Sequence, residues 1–170
     1  MDQIVVSMGE YRLADTPGQV LTTYALGSCI ALTAYDPVSA IGGLLHFMLP
    51  DSSIDPDRAR RKPSLFADTA IPLLLNGLRC RGACQRRLII HIAGGARMIG
   101  ENRSFDVGQR NYEAVRRELA CAALEIAGES IGGAVARNLR LEIGTGRIWL
   151  WEGGGHPYAA ESKDTSIDRR

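Results

Sequence analysis

The sequence predicts an α+β fold: a single domain whose antiparallel-rich β-sheet core has helices packed on the outside. Two observations predict it. Apolar β-prone runs come in pairs joined by tight-turn signals, Cys29–Tyr35 with Ile41–Met48 around "VSA" and Leu139–Ile143 with Arg147–Trp151 across "GTG", which is the pattern of antiparallel hairpins. The helix-period stretches do not alternate regularly with these strands, as a doubly wound sheet requires. A chain of 170 residues with 45% hydrophobic and 23% charged residues has the size and composition for one domain with a real core.

In chain order, Gln3–Met8 and Gln19–Tyr24 are short β-prone runs separated by the turn-rich "ADTPG". Cys29–Tyr35 alternates as a strand does and is ended by Asp36–Pro37; Ile41–Met48 is its neighbour and stops before Pro50. Residues 51–63 are a polar segment holding Arg58, Arg60, Arg61 and Lys62, a solvated loop or a basic rim for an acidic partner. Ser64 or Asp68 caps a helix reaching about Arg79, with Leu65, Ile71, Leu74, Leu75 and Leu78 turned to the core. Pro72 is expected to kink that helix or mark a later start. "RLIIHIA" (Arg87–Ala93) is an apolar strand closed by "GG". Gly108–Ile126 reads as one amphipathic helix, with Tyr112, Val115, Leu119, Ala122, Ala123 and Ile126 on one side. The domain is expected to span residues 1–152, and residues 153–170, small and polar, to form a flexible tail.

A net charge of +1 gives no bulk electrostatic case for nucleic acid or an anionic membrane. No apolar run approaches the roughly 18–20 residues of a membrane span, and "MDQIVVSMGEYR" has neither a basic n-region nor an apolar h-region. The expected location is the cytoplasm. There the four cysteines, Cys29, Cys80, Cys84 and Cys121, should be thiols. Cys80 and Cys84 with His91 invite a zinc reading, but the spacing is loose and no fourth ligand stands out, so incidental thiols are the better account.

Chemistry gathers at "LGSC". Cys29 opens one strand of the first hairpin and His46 lies near the end of the other, so an antiparallel register can bring thiol and imidazole together. That pair is the minimum for a nucleophilic cysteine, since the imidazole takes the proton and its charged form stabilises the thiolate. Thr23, on the incoming β-run, can orient the imidazole through its hydroxyl. The alternative stays open at this point: Cys29 as a small buried hydrophobe and His46 as a core histidine bonded to backbone.

The motifs themselves carry a resemblance. "TTYALGSCIALTAYDP" (Thr22–Pro37), "GGLLHFMLP" (Gly42–Pro50), "FADTAI" (Phe66–Ile71), "IAGGARM" (Ile92–Met98), "VGQRN" (Val107–Asn111) and "IGGAVAR" (Ile131–Arg137) occur in the order found in the CheD family, the chemoreceptor glutamine deamidases of bacterial and archaeal chemotaxis. The chain resembles that family from about residue 3 to 151. Two positions depart from its pattern: Ala136 replaces a glycine before Arg137, and Phe66 replaces a tyrosine.

The resemblance implies conversion of glutamine side chains on methyl-accepting chemoreceptors to glutamate through a cysteine thioester, with glutamate methyl esters open to the same route. It implies Cys29 as nucleophile, His46 as general base and Thr23 as the orienting group. Backbone N–H groups around Ser28 are candidates for the oxyanion hole, with Gly27 giving access. No cofactor or metal is required. The implied partners are the receptor's cytoplasmic helices and a CheC-type phosphatase, with no nucleic acid and no membrane insertion. The competing reading from another class is a non-catalytic adaptation module that binds receptors or that phosphatase. Gly94–Gly95 reads as a tight turn, and Arg110 and Asn111 as helix-start residues that cap it or bridge loops.

Overall fold

The structure, a computed structural model, describes residues 2–97 and 106–160. Among these residues ten strands form two five-stranded sheets, and three α-helices accompany them. The first sheet runs in the order β1 (Asp2–Val5), β3 (Gln19–Leu26), β8 (Arg137–Glu142), β9 (Ile148–Glu152) and β10 (Tyr158–Ala159). The second runs β2 (Glu10–Ala14), β5 (Ile41–Phe47), β4 (Ile30–Asp36), β6 (Ile89–Gly94) and β7 (Ile126–Ile131). Pairing is antiparallel except between β1 and β3 and between β6 and β7. This is the α+β, antiparallel-rich single domain that the hairpin pattern predicts.

The layers follow from which faces are apolar. Every residue of β4 and β5 is buried, because the second sheet is the middle layer. One face, with Ile30, Leu32, Leu45 and Phe47, packs on Ile71, Leu74 and Leu78 of α2 (Ala67–Cys80) and on Val115 and Leu119 of α3 (Val107–Cys121). The other face, with Ala31, Tyr35, Leu44 and Ala93, packs on Leu21, Leu26, Leu139, Leu141 and Leu150 of the first sheet. Strand alternation assigns β5 residues to the two faces in turn, so His46, opposite Ala31 in the ladder, turns toward the first sheet. The chain crosses from the first sheet to the second between Leu26 and Ile30, and the three residues of that crossing are Gly27, Ser28 and Cys29.

Several elements differ from the sequence reading, each for a physical reason. The helix expected over Gly108–Ile126 ends at Cys121: Ala122 closes it by donating to the Glu118 and Leu119 carbonyls, and Ala123 turns left-handed at φ 54°. Ala122, Ala123 and Ile126 keep the helical period without a glycine to announce the stop, and Ile126 instead opens β7, completing a parallel β6–α3–β7 crossover. β2 was hidden because Glu10, Tyr11 and Arg12 look like loop, although Tyr11 and Leu13 pack on the helix-side core. The polar segment 51–63 contains the short helix α1 (Pro56–Arg61), capped by Asp55 with its carboxylate accepting from the Arg58 amide at 3.0 Å. Pro72 lies inside α2 without ending it. Beyond Gly153, in the stretch expected to be a tail, Tyr158–Ala159 add to the edge of β9; residues 161–170 lie outside the described residues.

If α2 is held by burial of its inner face, Leu74→Ala (fully buried) should destabilise the domain by about 2–5 kcal/mol, the range for a large-to-small core change. Val38→Ala, at a site 72% exposed in the β4–β5 turn, should change stability by less than about 0.5 kcal/mol. Urea unfolding of the two variants checks the pair.

Candidate active site

The nucleophile loop begins where β3 stops being regular. Its pairing with β8 slips between Thr23 and Leu26, Ala25 adopts φ 56°, and the Ala25 amide donates to Asn138 Oδ1 at 2.9 Å. The chain then turns into β4, and its carbonyls are held one after another. Gly27 O accepts from the Ala96 amide at 2.8 Å, Ser28 O from Asn111 Nδ2 at 2.9 Å, and Cys29 O from the Gly95 amide at 2.8 Å. Gly94, at φ 117°, is required here: a Cβ on it would overlap the Cys29 carbonyl oxygen. Gly108 is required for the next contact, since a Cβ there would fall 2.5 Å from Gly95 O. Gly94–Gly95, the pair that reads as a tight turn, therefore braces the cysteine loop from behind with Gly108 packed against it, a role visible only once β6 and α3 are placed beside the loop.

His46 is 4% exposed and lies between the sheets. Its Nδ1 is 2.8 Å from the Thr23 hydroxyl, which in turn donates its hydrogen to Val6 O at 2.7 Å. A hydroxyl has one hydrogen, and Val6 takes it, so toward His46 the oxygen accepts and Nδ1 carries the proton. Nε2 is then the unprotonated nitrogen, and it is buried with no hydrogen-bond partner among the described residues. Thr23 thus sits on the far side of the ring from the free lone pair.

The ladder pairs Ala31 with His46 and Ile30 with Phe47, so Cys29 stands one step past its end, diagonal to His46 rather than opposite. Cys29 itself lies in the bend before β4, and its thiol makes no hydrogen bond to His46 Nε2. Cys29 is half-buried, and its Sγ rests 3.7 Å from Met8 Sδ. Met8 belongs to the same corner: the next residue's amide, Gly9 N–H, donates to His46 O at 2.7 Å, and Lys62 Nζ reaches Met8 O at 3.4 Å. The basic run, read as either a solvated loop or a rim, therefore ends beside the residue that touches the thiol.

Burial governs the charge states. It holds the His46 imidazole down at about 4 and pushes the Cys29 thiol up, the latter partly offset by Cys29's own N–H, which favours the thiolate. At neutral pH both groups rest uncharged, with a base whose lone pair is free and a thiol that still holds its proton. Such a pair can transfer a proton during attack on a bound electrophile.

Of the residues singled out in the sequence, Thr23, Gly27, Ser28, Cys29 and His46 converge on this corner. Cys80 and Cys121 are exposed on the helices, and no group of three or more His, Cys, Asp or Glu suited to a metal ion occurs among the described residues. Phe66 is fully buried just before α2. Met98, the last residue of "IAGGARM", lies outside the described residues. Met8 is the neighbour whose place at the site the sequence did not disclose, and Asn111, read as capping the helix or bridging loops, bridges the segments at Ser28 and Met48. Among the described residues, no helix is long and apolar enough to cross a membrane.

Comparison with known proteins gives the chain a family context. The family model "CheD chemotactic sensory transduction" matches residues 48–152. The chain is 55% identical over 154 residues to the probable chemoreceptor glutamine deamidase CheD of Solibacter usitatus, covering 91% of each. It is 40% identical over 151 residues to the chemoreceptor glutamine deamidase CheD of Thermotoga maritima (89% of this chain, 92% of the relative). With the probable enzyme of that name from Thermococcus kodakarensis the identity is 35% over 148 residues, 86% of this chain and 90% of the relative.

Because Gly94 admits no side chain against the Cys29 carbonyl, Gly94→Ala should displace the cysteine loop. The expected result is a folded protein of lower melting temperature whose Cys29 reacts with iodoacetamide at a rate changed several-fold, while Gly154→Ala, where a Cβ meets open space, leaves that rate unaltered.

Proposed function

The chain belongs to the CheD family, and we propose that it hydrolyses the side-chain amide of glutamines on chemoreceptors to glutamate and ammonia, with Cys29 as nucleophile, His46 as general base and acid, and Thr23 orienting the imidazole. One observation carries the assignment of roles: the Thr23 hydroxyl spends its proton on Val6 O, which leaves His46 protonated on Nδ1 and basic on a buried, unpartnered Nε2.

An amide is a poor electrophile, so attack by a thiolate divides its hydrolysis into two easier steps. As the Cys29 sulfur bonds to the side-chain carbonyl carbon, its proton passes to His46 Nε2 and the carbonyl electron pair moves to oxygen. The backbone N–H groups at Ser28 and Cys29 are the proposed donors to that oxyanion, and Gly27 leaves room for the approach. Collapse of the tetrahedral intermediate expels ammonia, which takes the proton from His46, and leaves a thioester on Cys29. Water then adds to the thioester carbon while Nε2 accepts its proton. The second collapse returns the sulfur, reprotonated by His46, and releases glutamate. Glutamate methyl esters enter the same cycle with methanol as leaving group.

Burial supports this cycle because the imidazolium formed at each addition is disfavoured in the low-dielectric gap between the sheets, so His46 passes its proton on readily. The half-exposed thiol, beside an exposed Met8, suits a substrate presented as a side chain on another protein's surface. Lys62 at the edge of the corner, with the arginines of α1 before it, gives the rim a positive side for an acidic receptor helix.

Co-expression with a chemoreceptor should yield peptides with the mass gain of amide-to-acid conversion; Cys29→Ala should yield none, and Cys29→Ser almost none, because a hydroxyl ionises far less readily. Persistent conversion by the alanine variant would remove Cys29 from the mechanism.

The pH profile follows from His46. Only the neutral imidazole accepts the thiol proton, and its midpoint at about 4 keeps it neutral well below pH 6. Between pH 7.5 and 5.5 kcat/KM for a receptor fragment should therefore change by less than about twofold, whereas an ordinary imidazole would lose about tenfold by pH 5.5. Steady-state rates across that interval distinguish the two.

A further inference from the structure

We propose that Asn111 is a positioning residue for the reaction: its buried amide ties the nucleophile's loop to the base's strand and turns the Ser28–Cys29 peptide so that the Cys29 N–H faces the thiol. The inference rests on Cys29 being the nucleophile. Asn111 projects from the second turn of α3 and is fully buried. Its Nδ2 donates twice, to Ser28 O and to Met48 O, each at 2.9 Å. Ser28 immediately precedes Cys29, and Met48 follows His46 by two residues, so one nitrogen holds both arms of the site.

The position of these bonds is informative. Pairing of β4 with β5 ends at Ile30–Phe47, and in that register the next pair would be Cys29 with Met48. The strands part there, where the thiol needs room, and Asn111 spans the opening in place of a rung. A primary amide suits the task because it offers two neutral donors from one atom, whereas Ser or Thr offers one and an apolar residue none. Asn111 Oδ1 is buried without a partner among the described residues, so the two donated bonds set the amide's orientation there.

The second consequence is stereochemical. In a trans peptide the carbonyl and the following N–H point in opposite directions. With Ser28 O drawn toward α3, the Cys29 N–H is turned away from α3 and onto its own sulfur, where it favours the thiolate. Flanking bonds keep the plane from rotating, because Gly27 O and Cys29 O are held by Ala96 and Gly95. α3 is itself registered on this loop by Gly108 against Gly95 and by the Asp106 cap, whose carboxylate accepts from Gln109 N–H at 2.9 Å and from Arg97 Nη2 at 2.6 Å.

The test uses the full chain with Asn111→Ala and Asn111→Ser, read by melting temperature, by iodoacetamide alkylation of Cys29 against pH, and by kcat and KM on a receptor fragment. The expected result for Asn111→Ala is a kcat lower by about 10- to 100-fold with KM within about threefold, and an alkylation midpoint moved to higher pH so that labelling at pH 8 slows several-fold. Asn111→Ser, which keeps one donor, should recover part of both. A residue that merely filled space would behave in the opposite way: loosening the loop would expose the thiol and speed its alkylation at an unchanged midpoint. That result, or a kcat for Asn111→Ala within threefold of the parent, overturns the proposal. Should Asn111→Ala fail to fold, Asn111→Ser decides by the same criteria. Alkylation needs no receptor, so its outcome stands apart from the deamidase reading, which fails only if the unsubstituted chain converts no receptor glutamine.

Discussion

The hydrogen bond between His46 and Thr23 is the contact on which the site depends, because it joins two sheets that share no strand. His46 belongs to β5 of the middle sheet and Thr23 to β3 of the outer one, and a 2.8 Å contact between their side chains requires the sheets to pack in one register. The core between them supplies that register: Leu21 and Leu139 of the outer sheet lie against Ala31 and Leu44 of the middle one, all inaccessible to solvent. The Val6 carbonyl then decides the direction of the bond, and the direction decides which imidazole nitrogen is basic. A main-chain oxygen two residues before Met8 thus reaches the chemistry through a hydroxyl and a ring.

The same arrangement explains why the nucleophile is on a loop rather than within a strand. Gly27, Ser28 and Cys29 carry the chain across the gap between sheets, so their peptide groups have no ladder partners of the ordinary kind. Their carbonyls are met instead by the Ala96 and Gly95 amides and by the Asn111 side chain. Every one of those partners comes from β6's end or from α3, the β6–α3–β7 crossover that lies on the side of the middle sheet away from the outer one. The cysteine is consequently braced from behind and left partly exposed.

The legible part of this design was the part written in local pattern. The first hairpin, the strand before "GG" and the hairpin at "GTG" follow from alternation and turn residues, and "LGSC" with a histidine on the neighbouring strand suggested a thiol–imidazole pair. β7 was not legible because Ala122, Ala123 and Ile126 carry on the helical period of α3, and the left-handed turn at Ala123 has no glycine to mark it. β2 was lost because an edge strand with Glu10 and Arg12 facing outward looks like a loop. The hairpin also suggested a direct Cys29–His46 pairing, whereas the ladder ends at Ile30–Phe47 and leaves the two diagonal. Met8 could not be recognised from spacing, and Asn111 and Gly94, singled out as a possible loop bridge and a turn, could not be tied to Cys29, since each acts on it from more than 20 residues away.

On this reading His46 stands between the sheets as a neutral ring, protonated on Nδ1 and bare on Nε2. Nitrogen-15 NMR of the imidazoles measures this directly. The chain has three histidines, so His91→Gln and His156→Gln variants identify the His46 signals. The account predicts a protonated, pyrrole-like Nδ1 and an unprotonated, pyridine-like Nε2 that persist from pH 8 to below pH 5. A His46 ring protonated on Nε2, or one that becomes imidazolium with a midpoint near 6.5, would contradict it.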